Sequence, residues 1–148
     1  MGVGVVAVSL VGLLAGCGRT VSVPVPDQTD PAIVSQCSAL NAALPSSVEY
    51  QVRQTTDPSS PLTAAWGSPP ITLRCGVAKP AGLQPTSQLI TVDGIDWFAE
   101  QRSAGYVFTT VGRTANVEVA VPDQYSPETN VLVDLTDPIK NAIPGAAH

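Results

Sequence analysis

Residues 89–121 read LITVDGIDWFAEQRSAGYVFTTVGRTANVEVAV. Ile95, Trp97 and Ala99 alternate with Asp96, Phe98, Glu100 and Arg102, the period of two that gives a strand one face for the core and one for solvent. Leu89 to Asp93 forms a shorter strand before it, with Gly94 as the turn, and Ser103-Ala104-Gly105 is a tight connection onward. Tyr106 to Val111 and Val117 to Val121 are rich in β-branched and aromatic residues, which suit a pleated, half-buried surface. Consecutive strands joined by such short turns predict an antiparallel meander.

Upstream, Ile71, Leu73, Cys75 and Val77 share one face and Thr72 and Arg74 the other, which is a further strand. Thr63 to Trp66 is a short strand joined to it through Gly67-Ser68-Pro69-Pro70, a run of turn residues. Val48, Tyr50 and Val52 alternate with Glu49, Gln51 and Arg53, predicting a half-buried strand. Thr56 to Pro61 and Ala78 to Ser87 read as loops. A helix precedes all of these: Asp30 is a good N-cap and Pro31 suits the first helical position. Ile33, Cys37, Leu40 and Leu44 recur as one helical stripe, and Leu44-Pro45 ends it. At the other end Ser126-Pro127 and Asp137-Pro138 each pair a cap with a proline, predicting short helices at about 127–135 and 138–143. A strand over Val131 to Leu135 is the alternative there. The expected fold class is α+β, an antiparallel sheet packed with an N-terminal helix and short C-terminal helices.

The 148 residues suit one domain. Aromatics are only 5 %, so the core rests on Val, Leu, Ile and Ala, while 14 Pro and 12 Gly point to turns and strands rather than a helical bundle. The net charge is −5 and the few Arg and Lys are scattered. That pattern gives no electrostatic footprint for nucleic acid and no polybasic grip on anionic lipid.

Val3 to Leu14 is apolar apart from Gly and one Ser. Roughly 12 residues are too few to span a bilayer comfortably but fit a signal-peptide h-region. Leu13-Leu14-Ala15-Gly16-Cys17 follows and resembles the bacterial lipobox, where a dedicated peptidase cuts before a diacylglyceryl-modified Cys. The small residues Ala15 and Gly16 let a protease reach the extended backbone beside the thiol. Residues 1–16 are therefore expected to be a lipoprotein signal segment and Cys17 the lipidation site. The membrane is then a partner through that lipid, and the domain lies on the extracytoplasmic face. No Lys or Arg precedes the apolar run, although a signal peptide's n-region is basic, which points to a start upstream of Met1.

Residues 17–30 hold the lipidated Cys and a Pro-rich tether. Pro24, Pro26 and Pro31 prevent a helix, and the 13 residues from Gly18 to Asp30 would reach roughly 40 Å as an extended spacer. Alternatively Val21, Val23 and Val25 alternate and dock as an edge strand. Residues 31–148 make up the single α+β domain.

With Cys17 assigned to lipid, Cys37 and Cys75 remain. Both lie on predicted apolar faces, and an even pair in an exported protein points to one disulfide. Two buried free thiols are the alternative. A redox-active pair is disfavoured, because there is no Cys-x-x-Cys and neither Cys sits at a helix N-terminus.

Ala65-Trp66-Gly67, Leu73-Arg74-Cys75-Gly76-Val77, Asp96-Trp97 and Thr110-Val111-Gly112-Arg113, with Cys37-x-x-Leu40 and Leu44-Pro45 upstream, make the chain resemble a family of actinobacterial, mycobacterial-type envelope proteins known as domain of unknown function 3515. The resemblance spans residues 23 to 143 or so. It implies secretion or lipid anchoring and a disulfide between Cys37 and Cys75, and it implies no activity.

No catalytic constellation is visible. The only His is His148 at the end of the chain, which removes Ser-His-Asp, Cys-His and His-based zinc sites. There is no Gly-x-Ser-x-Gly, Ser-x-x-Lys, Walker A loop or Gly-x-Gly-x-x-Gly. The densest carboxylates, Asp93, Asp96 and Glu100, flank a turn and one solvent face rather than a cleft. No cofactor or metal is expected. Arg74 is expected to pair with Glu49 or Glu100 across strands. Trp97 shares a face with Ile95 and Ala99 and belongs to the core. Trp66, beside Gly67 and the Pro69-Pro70 turn, is expected to be partly exposed and is the candidate contact for a partner. The expected function is non-catalytic binding of another cell-envelope component, protein or polymer. A carrier of a lipid or small apolar ligand is the alternative, and it requires an apolar cavity. A hydrolase built from Asp, Glu, Ser and Lys requires two carboxylates facing each other across a cleft.

Overall fold

The computed structural model describes residues 1–2 and 18–147, so the segment from Val3 to Gly16, the expected lipidation site Cys17 and His148 lie outside the described residues. In chain order the strands are β1 (Thr20–Ser22), β2 (Ser47–Val48), β3 (Gln51–Asp57), β4 (Thr63–Trp66), β5 (Ile71–Cys75), β6 (Ile90–Val92), β7 (Ile95–Arg102), β8 (Gly105–Val111) and β9 (Val117–Pro122). Helix α1 spans Pro31–Ala43 and α2 spans Asn130–Ala142, with a 3-10 turn at Asp123–Tyr125. The strands form one mixed sheet in the order β1-β3-β4-β5-β9-β8-β7-β6, and β2 also pairs with β3. Only β1 and β3 run parallel among these pairs.

The meander forms as its alternation dictates. β6 and β7 close on Asp93-Gly94, with φ of 45° and 82°, the positive values that a two-residue turn needs to match strand twist. β7 and β8 close on Ser103-Ala104. Gly105 opens β8 at φ 144°, where any Cβ would collide with the Val121 carbonyl oxygen of β9. Glycine is required there for the two backbones to approach. Ile71, Leu73 and Cys75 of β5, Val117, Val119 and Val121 of β9, Phe108 of β8 and Trp97 of β7 are all buried. They join Cys37 and Leu40 of α1 and Val131, Leu132, Leu135 and Ile139 of α2 in one core. Both helices thus cover the same face of the sheet. The Asp30 side chain accepts a hydrogen bond from the Ala32 N–H at 2.8 Å and starts α1 as expected. Cys37 and Cys75 are joined, with Cα atoms 5.5 Å apart, and clamp α1 to β5.

Two local expectations are corrected and one open choice is decided. The C-terminal region is one helix rather than two, and Pro138 lies inside it. A proline there costs roughly 3 kcal/mol. Yet Val131, Leu132, Leu135, Thr136 and Ile139 form a buried stripe across it, and burying each large aliphatic side chain is worth about 1.5–3 kcal/mol. Second, Val48, Tyr50 and Val52 do not share a strand face. Glu49 and Tyr50 have φ of 44° and 62° and form the two-residue turn between β2 and β3. Val48 is buried while Tyr50 and Val52 are exposed, and β3 runs on through Asp57 into the expected loop. Third, the segment after Gly18 is not a free spacer. β1 pairs with Thr55–Asp57, the Val23 N–H donates to the Asp57 carbonyl at 3.1 Å, and Val23 is buried. Of the two readings of Val21 to Val25, the edge strand is the one adopted. It supplies hydrogen-bond partners to an edge of β3 that would otherwise lack them.

Candidate functional site

Trp97 is fully buried, as its register with Ile95 and Ala99 requires. The expectation of a partly exposed Trp66 is overturned, for it too is fully buried. The turn at Ser68, Pro69 and Pro70 is at the surface, but Trp66 belongs to β4, which is enclosed between β3 and β5 and buries all four of its residues. The Trp66 Nε1–H donates to the Pro45 carbonyl at 3.0 Å, and the Arg53 guanidinium lies 5.8 Å from the ring centroid. Trp66 therefore has no face to offer a partner.

Three arginines tie elements of the fold together. Arg53 Nη2 donates to Asn41 Oδ1 at 2.7 Å, and Nη1 reaches the carbonyls of Asn41 and Leu44, the last acceptors of α1. A cation is favoured at that negative end of the helix. Burial lowers the Arg53 pKa from its ordinary value, but a guanidinium keeps its charge in a protein. Arg113 serves α2 in the same way, donating to the Ile143 carbonyl at 2.6 Å. Arg74 pairs with Glu118 at 3.1 Å rather than with Glu49 or Glu100, because Glu118 stands directly opposite it on β9. The sequence could not name that partner without the strand order. The three clustered carboxylates do not converge. Asp96 accepts from the Thr91 hydroxyl at 2.6 Å, Glu100 pairs with Arg102 at 3.1 Å, and Asp93 sits in the β6–β7 turn.

The surface feature the sequence did not reveal is the tip of the β2–β3 hairpin. A left-handed backbone costs an ordinary residue roughly 1–2 kcal/mol, and such turns usually carry Asn-Gly or Gly-Gly. Here Glu49 and Tyr50 occupy both central positions. The Asp134 carboxylate of α2 accepts a hydrogen bond from the Glu49 N–H at 2.7 Å and holds the turn in place. Tyr50 is 92 % exposed and Val52, two residues along, is 67 % exposed. A large aromatic ring is thus held away from the core on a strained backbone. Strain of this kind persists where the surrounding structure over-determines it, and it concentrates at sites of function. Ser47, Glu49, Tyr50 and Asp134 line a depression of about 250 Å³ there. Glu-Tyr carries no turn signature, so periodicity alone placed Tyr50 in a strand.

Two further depressions are open to solvent rather than enclosed. An apolar one of about 210 Å³ lies between Pro70, Ala104, Val107, Ala120 and Pro122. A polar one of about 350 Å³ is lined by Asp27, Arg74, Val77 and Glu118. Trp66, Trp97 and Phe108 fill the centre of the fold.

No curated protein and no solved structure matches the chain. One family model does, over residues 2–147, and its description is a protein of unknown function. The chain belongs to that family, DUF3515.

Proposed function

We propose that the chain is an extracytoplasmic lipoprotein, anchored by a lipid on Cys17, whose domain binds another component of the cell envelope and carries out no chemistry. The observation that carries the binding reading is the Glu49-Tyr50 turn, which spends conformational energy to keep an aromatic ring in solvent. An exposed tyrosine offers a large, rigid, amphipathic contact at little cost in side-chain entropy. The Leu14-Ala15-Gly16-Cys17 stretch supports the anchor. A disulfide between α1 and β5 supports an oxidising compartment outside the cytoplasm. A carrier is less well supported, since the centre of the fold is occupied by large side chains and the apolar depression is open to solvent.

The test is in-cell crosslinking. A photoreactive phenylalanine in place of Tyr50 is expected to capture an envelope component, while the same group in place of exposed Lys79 captures none. Equal capture from both positions, or none from either, would remove the tip as a binding surface.

A further inference from the structure

We infer that the envelope component touched by the Tyr50 tip is the membrane surface that holds the chain's own lipid. This rests on the anchor at Cys17 proposed above. β1 starts at Thr20, so only Gly18 and Arg19 separate Cys17 from the sheet. An extended residue covers at most about 3.6 Å, which keeps Thr20 roughly 10 Å from the Cys17 backbone. The 40 Å reach of a free spacer is lost because that stretch of chain is docked. The domain must therefore lie against the bilayer, and the point where the chain enters fixes which end faces it.

That point lies at the tip end. β1 runs parallel to β3 with Thr20 opposite Thr55, so the chain before β1 lies level with Gln54, two residues from Val52. The Arg19 carbonyl accepts a hydrogen bond from the Thr55 hydroxyl at 3.4 Å, and Arg19 Nη1 donates to Ser68 Oγ at 2.7 Å in the turn between β4 and β5. β2 occupies the next stretch of the same edge of β3, and the Arg53 N–H donates to the Ser46 carbonyl at 2.8 Å. The chain is therefore directed off the sheet beside the tip.

The chemistry of this end suits the interface between headgroups and acyl chains. Tyrosine sits well where one part of a side chain is dry and the other wet. Val52 and the exposed Pro69 and Pro70 add apolar surface. Glu49 and Asp134 place carboxylates at this end and Arg102 is taken up by Glu100, so the surface is suited to zwitterionic rather than anionic headgroups. The two acyl chains of the diacylglyceryl group hold the chain at the bilayer, and the tip sets the orientation of the domain on that anchor.

The test uses the full lipidated chain in phosphatidylcholine vesicles with brominated acyl chains. Trp66 and Trp97 are buried, so the unmodified chain provides a nearly unquenched background. Tyr50→Trp adds a probe at the tip. Ser59→Trp adds one just past the other end of β3, roughly 20 Å away. Brominated lipid is expected to cut the added emission at position 50 about twofold and leave position 59 unchanged. Cys17→Ala in the Tyr50→Trp background abolishes the quenching, because the tip alone binds too weakly. Equal emission at 50 and 59 on a chain whose Cys17 carries lipid by mass spectrometry would overturn the membrane contact and leave the anchor standing. A Cys17 without lipid would overturn both.

Discussion

The Cys37–Cys75 bond is the strongest single restraint the structure offers for test. It closes a loop with a sequence separation of 38. In the chain-entropy model such a closure removes about 13 cal/mol/K from the unfolded ensemble, or ~4 kcal/mol at 25 °C. Both residues are buried, so replacement by alanine also leaves a small void worth ~1 kcal/mol. Reduction of the unmodified protein removes the crosslink but keeps both sulfurs. The two perturbations therefore separate the tether from the packing. Reduced protein should lose ~4 kcal/mol in urea unfolding followed by tryptophan fluorescence, and Cys37→Ala/Cys75→Ala ~5 kcal/mol. At the usual unfolding entropy per residue, the first loss lowers Tm by about 15 °C. That is a large share of the 5–15 kcal/mol typical of a domain. A reduced protein within ~1 kcal/mol of the oxidised one would refute the entropic reasoning and show that α1 is already fixed by its packing through Leu40 and Leu44.

Tyr50→Gly should raise stability by about 1 kcal/mol, since glycine occupies φ 62° without strain; a fall in urea midpoint would show that Tyr50 is held by contacts rather than strained. Gly105→Ala should cost more than 3 kcal/mol, because the new Cβ meets the β9 backbone, whereas Gly94→Ala should cost only about 1 kcal/mol, because its Cβ meets nothing tighter than ordinary contact with the end of the Lys140 side chain; equal thermal shifts would contradict this. Tyr125 donates its hydroxyl to the Pro69 carbonyl at 2.7 Å, and burial raises its pKa. The folded state thus favours the protonated phenol, so its contribution is complete below the ordinary tyrosine value of about 10 and is lost as pH rises through the higher folded value. Tyr125→Phe should flatten the loss of stability expected in urea titrations as pH rises above about 10.

The sequence by itself determined whatever local chemistry controls. The alternation from Ile95 to Arg102 set a strand and its buried face, and Asp30-Pro31 with Leu44-Pro45 set the limits of α1. Cys37 and Cys75 each fell on an apolar face, so they could meet. Trp97 was legible as core because its neighbours two residues away are apolar. Tertiary structure decided the rest, because it turns on which surfaces meet. Trp66 is buried because β4 lies inside the sheet, a fact of strand order that no stretch of chain encodes. Arg74 faces Glu118 because β5 and β9 are neighbours, although 44 residues separate them. Pro138 stays within α2 because the buried stripe outweighs one lost hydrogen bond. The tip was illegible for the same reason. Glu49 and Tyr50 have no local preference for a left-handed turn, and it is Asp134, 85 residues away from Glu49, that holds them there.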